Sequence, residues 1–152
     1  MGTRCGYCSV SMSHPFYRKN YGNDAISDLK HTVDEVISVH GGVTYSGFLE
    51  MIINFDDTIP RDLWWFGFDC CHANDAQDPE LITDPQTKKF VMEMEERFAS
   101  RYDSHYKRTH KKLEYVIENC NNMAEHLSKF LYSSVDFIMG EETSLRDVSK
   151  VI

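Results

Sequence analysis

The chain has 152 residues, 41% of them hydrophobic and 26% charged, which is the size of one domain built around a single core. Four prolines, eight glycines and 12% aromatics exclude a disordered or low-complexity chain, and no run approaches the ~20 apolar residues of a helical membrane span. Sixteen Lys and Arg against twenty-four Asp and Glu leave a net charge of −8, which repels phosphate backbones and excludes broad nucleic-acid binding.

Met1-Gly2-Thr3-Arg4-Cys5 has no apolar signal core, so a cytoplasmic protein is expected. Residues 5–12 read as a first strand, followed by an irregular aromatic loop through His14-Pro15-Phe16-Tyr17 and Tyr21-Gly22-Asn23-Asp24. Asp24 is placed to cap one helical turn carrying Ile26 and Leu29. The alternation of Val33, Ile37 and Val39 predicts a strand from Val33 to His40 that ends at Gly41-Gly42, with β-prone sequence resuming at Val43-Thr44-Tyr45 as a hairpin or bulged turn. Phe48 to Phe55 and Leu63 to Asp69 are the most apolar runs, and the second has the length and aromatic content of a strand covered on both faces.

A polar connection over residues 73–85 is the natural place for a functional loop. Thr83 or Asp84 then caps a helix with Phe90, Val91, Met94 and Phe98 on one face. The strongest periodicity follows: Leu113, Val116, Ile117, Cys120, Met123, Ala124, Leu127, Phe130 and Leu131 form one stripe of a helix over about 105–132 that should pack on the sheet. Its Lys111, Lys112, Glu114, Glu118 and Glu125 read as a solvated face. Met94, Met123 and Phe130 would serve a core or a homodimer face equally well. The expected architecture is a single α+β domain over 1–152. A small antiparallel or mixed sheet from the N-terminal half packs against one long and one shorter C-terminal helix, and 140–152 forms a weakly structured tail.

An odd count of five cysteines and no signal segment argue for free thiols. Cys5-Gly6-Tyr7-Cys8 has the spacing of half a zinc site, which Cys70-Cys71-His72 would complete poorly, because adjacent strand residues point to opposite faces. Buried thiols are the simpler reading.

Two runs, His40-Gly41-Gly42-Val43-Thr44-Tyr45-Ser46-Gly47 and Trp64-Trp65-Phe66-Gly67-Phe68-Asp69-Cys70-Cys71-His72-Ala73-Asn74-Asp75, resemble a family of small phage and prophage proteins that typically read HGGLTYSG and then WWIGFDCAHAGD. Cys5-Gly6-Tyr7, Ser13-His14-Pro15 and residues 118–127 look similar too, so the resemblance spans most of residues 4–130. Val43, Phe66, Cys71 and Asn74 depart from the family pattern. The resemblance implies a phage-encoded accessory protein in the cytoplasm of an infected bacterium and carries no mechanism with it.

Chemistry concentrates in the same two runs. His40 beside two glycines, and Asp69, His72 and Asp75 after a strand, would converge at one sheet end if their strands are neighbours. Such a set suits a divalent transition metal that activates water, with His14 as a further ligand and Cys5 and Cys8 as a lesser alternative. A structural polar network is equally consistent, since Asp69 can accept from loop amides and His72 can close the turn. Gly41 and Gly42 would admit a ligand to the backbone beside Thr44, and an outward tryptophan such as Trp65 with Tyr45, Tyr17 and Tyr21 would make a stacking wall for a nucleobase, although two tryptophans packed under the helices is the simpler reading.

The reading taken forward is a phage accessory protein that binds a host protein or sequesters a small nucleotide-like signal, rather than an enzyme. The rival is a small metal-dependent hydrolase using His40, Asp69, His72 and Asp75, and a virion accessory protein is the third. No cofactor is assigned beyond a divalent transition metal at the cluster.

Overall fold

The computed structural model describes residues 2–24, 31–49, 59–101 and 108–133. The predicted turn over Ile26 and Leu29, most of the Phe48–Phe55 run and the tail from 140 lie outside these residues. Among them the elements run β1 (Cys5–Val10), α1 (Val33–Val36), β2 (Tyr45–Gly47), β3 (Trp64–Asp69), a 3-10 turn at Pro79–Leu81, α2 (Pro85–Arg101) and α3 (Leu113–Ser133). The architecture is α+β, as expected, with a small antiparallel sheet from the N-terminal half and two C-terminal helices. No described helix is long and apolar enough to cross a membrane.

The sheet order is β1-β3-β2, with both pairings antiparallel, so β3 is central. That position accounts for its composition: Trp65, Phe66 and Phe68 are each at most 1% exposed. Gly6 pairs with Phe68, Cys8 with Phe66 and Val10 with Trp64, so these six share one face. Against that face lies the α3 stripe of Val116, Cys120, Met123 and Leu127, all buried. The spacing of four, three and four keeps the stripe on one side of the helix. Burial of each large apolar side chain contributes roughly 1.5–3 kcal/mol. Met123 is thereby committed to the core and is not part of a dimer face.

Gly6 sets how closely α3 approaches. A Cβ there would stand 2.6 Å from Cys120 Sγ and 2.5 Å from the Phe68 ring. His14 fastens the other end of the helix. Phe16 N–H donates to His14 Nδ1 at 3.0 Å, so Nε2 carries the hydrogen and donates to the Leu127 carbonyl at 3.0 Å. His14 is therefore a buried structural histidine, not a fifth ligand. The fully buried Phe16 ring beside it packs on Phe130 with ring centroids 4.6 Å apart.

Three elements depart from the sequence reading. The first strand stops at Val10, where turns closed by His14 N–H on Ser11 and Tyr17 N–H on His14 take over. Val33 opens a helical turn instead of a strand, because Thr32 and Glu35 form a capping pair in which Thr32 N–H donates to the Glu35 carboxylate at 2.8 Å. That cap outweighs a period-two pattern only three apolar residues long. α3 begins at Leu113, after Thr109 has paired with Asp75 in an isolated parallel bridge. α2 has its expected Asp84 cap, with Thr87 N–H donating to the Asp84 carboxylate at 2.7 Å. Of its predicted stripe only Val91 is buried, while Phe90 and Met94 are 62% and 47% exposed.

Gly6→Ala is expected to destabilise the fold by about 1–3 kcal/mol through overpacking between β1 and α3, read as a lowered urea midpoint with an unchanged m-value.

Candidate functional site

The two sequence runs meet at the end of the sheet nearest the start of α3. His40 lies in the turn between α1 and β2. That turn is closed by Gly42 N–H on the Val39 carbonyl at 3.1 Å, and Gly41 and Gly42 take φ of +68° and +89°. Only glycine adopts these values without strain. Gly41 has a second role: a Cβ there would fall 1.9 Å from His72 Cε1, so the bare backbone is what lets the His72 ring lie against the turn.

Asp75 is the centre of the arrangement and is only 2% exposed. Its Oδ2 accepts from His40 Nε2 at 2.7 Å, from the His72 backbone N–H at 2.9 Å and from His72 Nδ1 at 3.2 Å. Lys111 Nζ stands 3.5 Å from Oδ1. Burial by itself would raise this carboxyl, but the hydrogen bonds from His40 and His72 outweigh it and bring it down to about 2. Asp75 is therefore an anion at neutral pH, and three cationic or hydrogen-donating side chains surround it.

The backbone holds Asp75 as firmly as the side chains do. Asp75 N–H closes a turn on the His72 carbonyl at 2.9 Å, and the neighbouring amides exchange hydrogen bonds with Thr109 at 3.1 Å. Arg108 Nε donates to the Asp75 carbonyl at 3.1 Å while its Nη1 pairs with Glu95 of α2 at 3.1 Å. Arg4 pairs with the buried Asp78 at 2.6 Å and donates to the Lys111 carbonyl at 2.9 Å, which joins the start of β1 to the segment leading into α3.

On the α3 side, Tyr115 Oη lies 3.0 Å from His40 Nδ1, and Asn119 Oδ1 accepts from the His40 backbone N–H at 2.9 Å. Asn119 Nδ2 in turn donates to the Tyr115 carbonyl at 2.9 Å. Tyr115, Asn119, Lys111 and Arg108 were not predicted as site residues. The only trace of the first two in the sequence is a Tyr and an Asn four apart, one position before Val116 and Cys120 of the core stripe, and periodicity reads that flank as surface.

His40, His72 and Asp75 form a group whose potential ligand atoms all lie within 4.8 Å of one another. Asp69, expected as the fourth member, is elsewhere. Its Oδ2 accepts from Thr44 Oγ1 at 2.9 Å and its Oδ1 from the Cys71 N–H at 3.0 Å. The cause is strand alternation: Asp69 is odd-numbered on β3 and leaves by the face opposite Phe66, Phe68 and α3. Thr44 goes with it. Tyr45 projects from that same opposite face, donates to the Phe48 carbonyl at 2.7 Å and packs edge-on against Tyr7. Trp65, 1% exposed, is buried in the same layer and offers no face for stacking. Gly42 shapes the turn, and a Cβ there would meet nothing within 4 Å.

Cys5 and Cys8 do not form half a zinc site. Three residues apart on β1, they point to opposite faces, Cys5 exposed and Cys8 buried with its thiol on the Cys120 carbonyl at 3.2 Å. Burial pushes the Cys5 thiol up, and hydrogen bonding with Cys120 together with burial does the same for Cys8, so both stay protonated where a metal needs thiolate.

Comparison with protein-family models, with curated proteins and with solved structures finds no match.

Two outcomes test this geometry. The Asp75 carboxyl titrates near 2 in the fold against an ordinary 3.8, so its ionised form stabilises the protein above about pH 4. That contribution, about 2 kcal/mol, is lost as pH falls from about 4 to about 2. Asp75→Asn should lower stability at pH 7 by a comparable amount and flatten the acid limb of the stability profile measured by urea unfolding. Gly41→Ala should displace the His72 ring, seen as a change in its NMR resonances, and cost about 1–2 kcal/mol for the left-handed backbone. Gly42→Ala should show the backbone cost with the His72 resonances unchanged.

Proposed function

We propose that the protein is a small metal-dependent hydrolase whose ion is held by His40, His72 and Asp75. One observation carries this reading: two imidazoles and an ionised carboxylate, from sequence positions 35 residues apart, are brought within 4.8 Å beside a turn whose two glycines take positive φ. A tetrahedral zinc with bonds of about 2.0–2.1 Å would need neighbouring donor atoms about 3.3 Å apart. Asp75 Oδ2 stands 2.7 and 3.2 Å from His40 Nε2 and His72 Nδ1, so small shifts of the two rings would let these three residues hold an ion.

The donor set is the two-imidazole, one-carboxylate type that suits zinc, manganese or iron and leaves coordination positions open. The chemistry such an ion supplies is activation of water at neutral pH and polarisation of a substrate oxygen. The residues around it serve that chemistry in distinct ways. Asp75 contributes the negative charge. Asn119 fixes the backbone of His40, and Tyr115 fixes its ring, in the manner of partners that orient metal-binding imidazoles. His72, with 37% of its side chain exposed, marks the side open to solvent.

A second reading is favoured by what the two sequence runs have in common with the phage proteins they resemble. The residues that meet here, His40, Gly41, His72 and Asp75, belong to those runs. In this reading the cluster is the seat of a phage accessory factor that holds a small nucleotide-like anion against host defence without turning it over. Arg108, Lys111 and Lys112, clustered in sequence beside the site of an otherwise acidic chain, are the cations that would meet it.

Isothermal titration with Zn2+ should give one equivalent bound to the wild-type protein. His72→Ala and Asp75→Asn should weaken that binding by more than about 100-fold, while Asp69→Asn leaves it unchanged. Absence of zinc binding, or equal loss in Asp69→Asn, would overturn the metal centre. With zinc bound, hydrolysis of cyclic or linear nucleotides supports the hydrolase, and saturable nucleotide binding without turnover supports the second reading.

A further inference from the structure

The two oxygens of Asp75 meet different neighbours. Oδ2 lies 2.7 Å from His40 Nε2, 2.9 Å from the His72 backbone nitrogen and 3.2 Å from His72 Nδ1, whereas Oδ1 stands 3.5 Å from the Lys111 ammonium. An ion shared by the two imidazoles therefore reaches this carboxylate through Oδ2. Oδ1 is the oxygen that a two-point grip would have to add.

Lys111 is held at that oxygen by more than charge. Its Nζ donates to Thr109 Oγ1 at 3.1 Å and lies 5.5 Å from the centre of the Tyr115 ring. Its carbonyl accepts from Arg4 at 2.9 Å. Thr109 is in turn joined to the Asp75 segment, its N–H donating to the Asn74 carbonyl and its carbonyl accepting from the Ala76 N–H, both at 3.1 Å. Ammonium and carboxylate thus belong to one hydrogen-bonded frame.

Building on the metal-centre reading, we infer that Lys111 is a specificity-determining residue of the site. Its ammonium reserves Asp75 Oδ1, limits the carboxylate to one bond with the ion, and so widens the preference for zinc over manganese that a two-imidazole site already has. Two effects act together. An ion centred between the two carboxylate oxygens would move toward the ammonium, and the like charges repel. The Lys111 charge also offsets that of Asp75, so the ion is held by its bonds to the imidazoles more than by the charge of the site. Zinc suits those terms, since it is four-coordinate and takes nitrogen ligands with a single carboxylate oxygen. Manganese prefers carboxylate, carbonyl and water oxygens in octahedral geometry, and gains more from a second carboxylate oxygen.

The test uses the full chain with Zn2+ and Mn2+ as probes. Wild type is compared with Lys111→Met, which keeps the length of the side chain without its charge, and with Lys111→Arg, which keeps the charge. Removing a nearby charge favours both divalent ions alike, so the ratio of the two dissociation constants isolates the number of carboxylate bonds. By calorimetry, Lys111→Met should tighten Mn2+ about tenfold more than it tightens Zn2+, while Lys111→Arg keeps the ratio within about twofold of wild type. Infrared difference spectra with 13C-labelled aspartate read the bond itself. The gap between the antisymmetric and symmetric carboxylate stretches should narrow when Mn2+ binds Lys111→Met and stay wide in wild type. Lys111→Gln serves the same comparison should Lys111→Met fail to fold. An unchanged ratio in the uncharged variant, an equal change in Lys111→Arg, or no narrowing of the gap overturns the role of Lys111 and leaves the metal centre standing. Failure of wild type to bind zinc overturns both.

Discussion

A carboxylate with 2% exposure has to be surrounded by donors, and the part of this structure that is not hydrophobic core is organised by how Asp75 meets that demand. Its oxygens draw in His40 from the turn before β2, His72 from the turn after β3 and Lys111 from the lead-in to α3. Its carbonyl draws in Arg108, and through Arg108 the glutamate of α2. Segments far apart in sequence are thus tied to one anion, which is why the site has a defined geometry although none of its members sits on a strand.

α3 links this polar assembly to the core. Val116, Cys120, Met123 and Leu127 bury one side of the helix on the face of β1 and β3 that Gly6 leaves flat. The adjoining flank then necessarily presents Tyr115 and Asn119 to the His40 turn. The core packing fixes the helix's rotation, and the rotation determines which polar residues reach the site. The same physics disposes of the thiols: Cys8 and Cys120 fill space between strand and helix and act as small apolar groups.

Two of the three cluster members were legible as chemistry because histidine and aspartate stood together after a strand, and His40 was legible because two glycines followed it. Asp69 looked equivalent to Asp75 in the sequence and is not. The difference is one of strand parity against a turn: Asp69 still obeys the alternation of β3 and leaves by the opposite face, whereas Asp75, three residues beyond His72, is folded back by a turn that its own side chain helps to close. Trp65 failed as a stacking surface. The composition of Leu63–Asp69 already read as a strand covered on both faces, and the central place of β3 in the sheet buries Trp65 accordingly.

By itself the sequence determined the fold class, the central aromatic strand, the buried stripe of the long helix and the two motifs that carry ionisable groups, because periodicity and composition are local properties. Tertiary structure alone decided that α3 begins only after Thr109 has paired with Asp75 and that Tyr115, Asn119 and Lys111 join His40, His72 and Asp75, whereas the Val33 helical turn follows from the local Thr32–Glu35 cap. Those tertiary outcomes depend on a buried charge reaching His40 across 35 residues of chain and on α3 meeting the His40 turn across 79, and no local pattern encodes such distances.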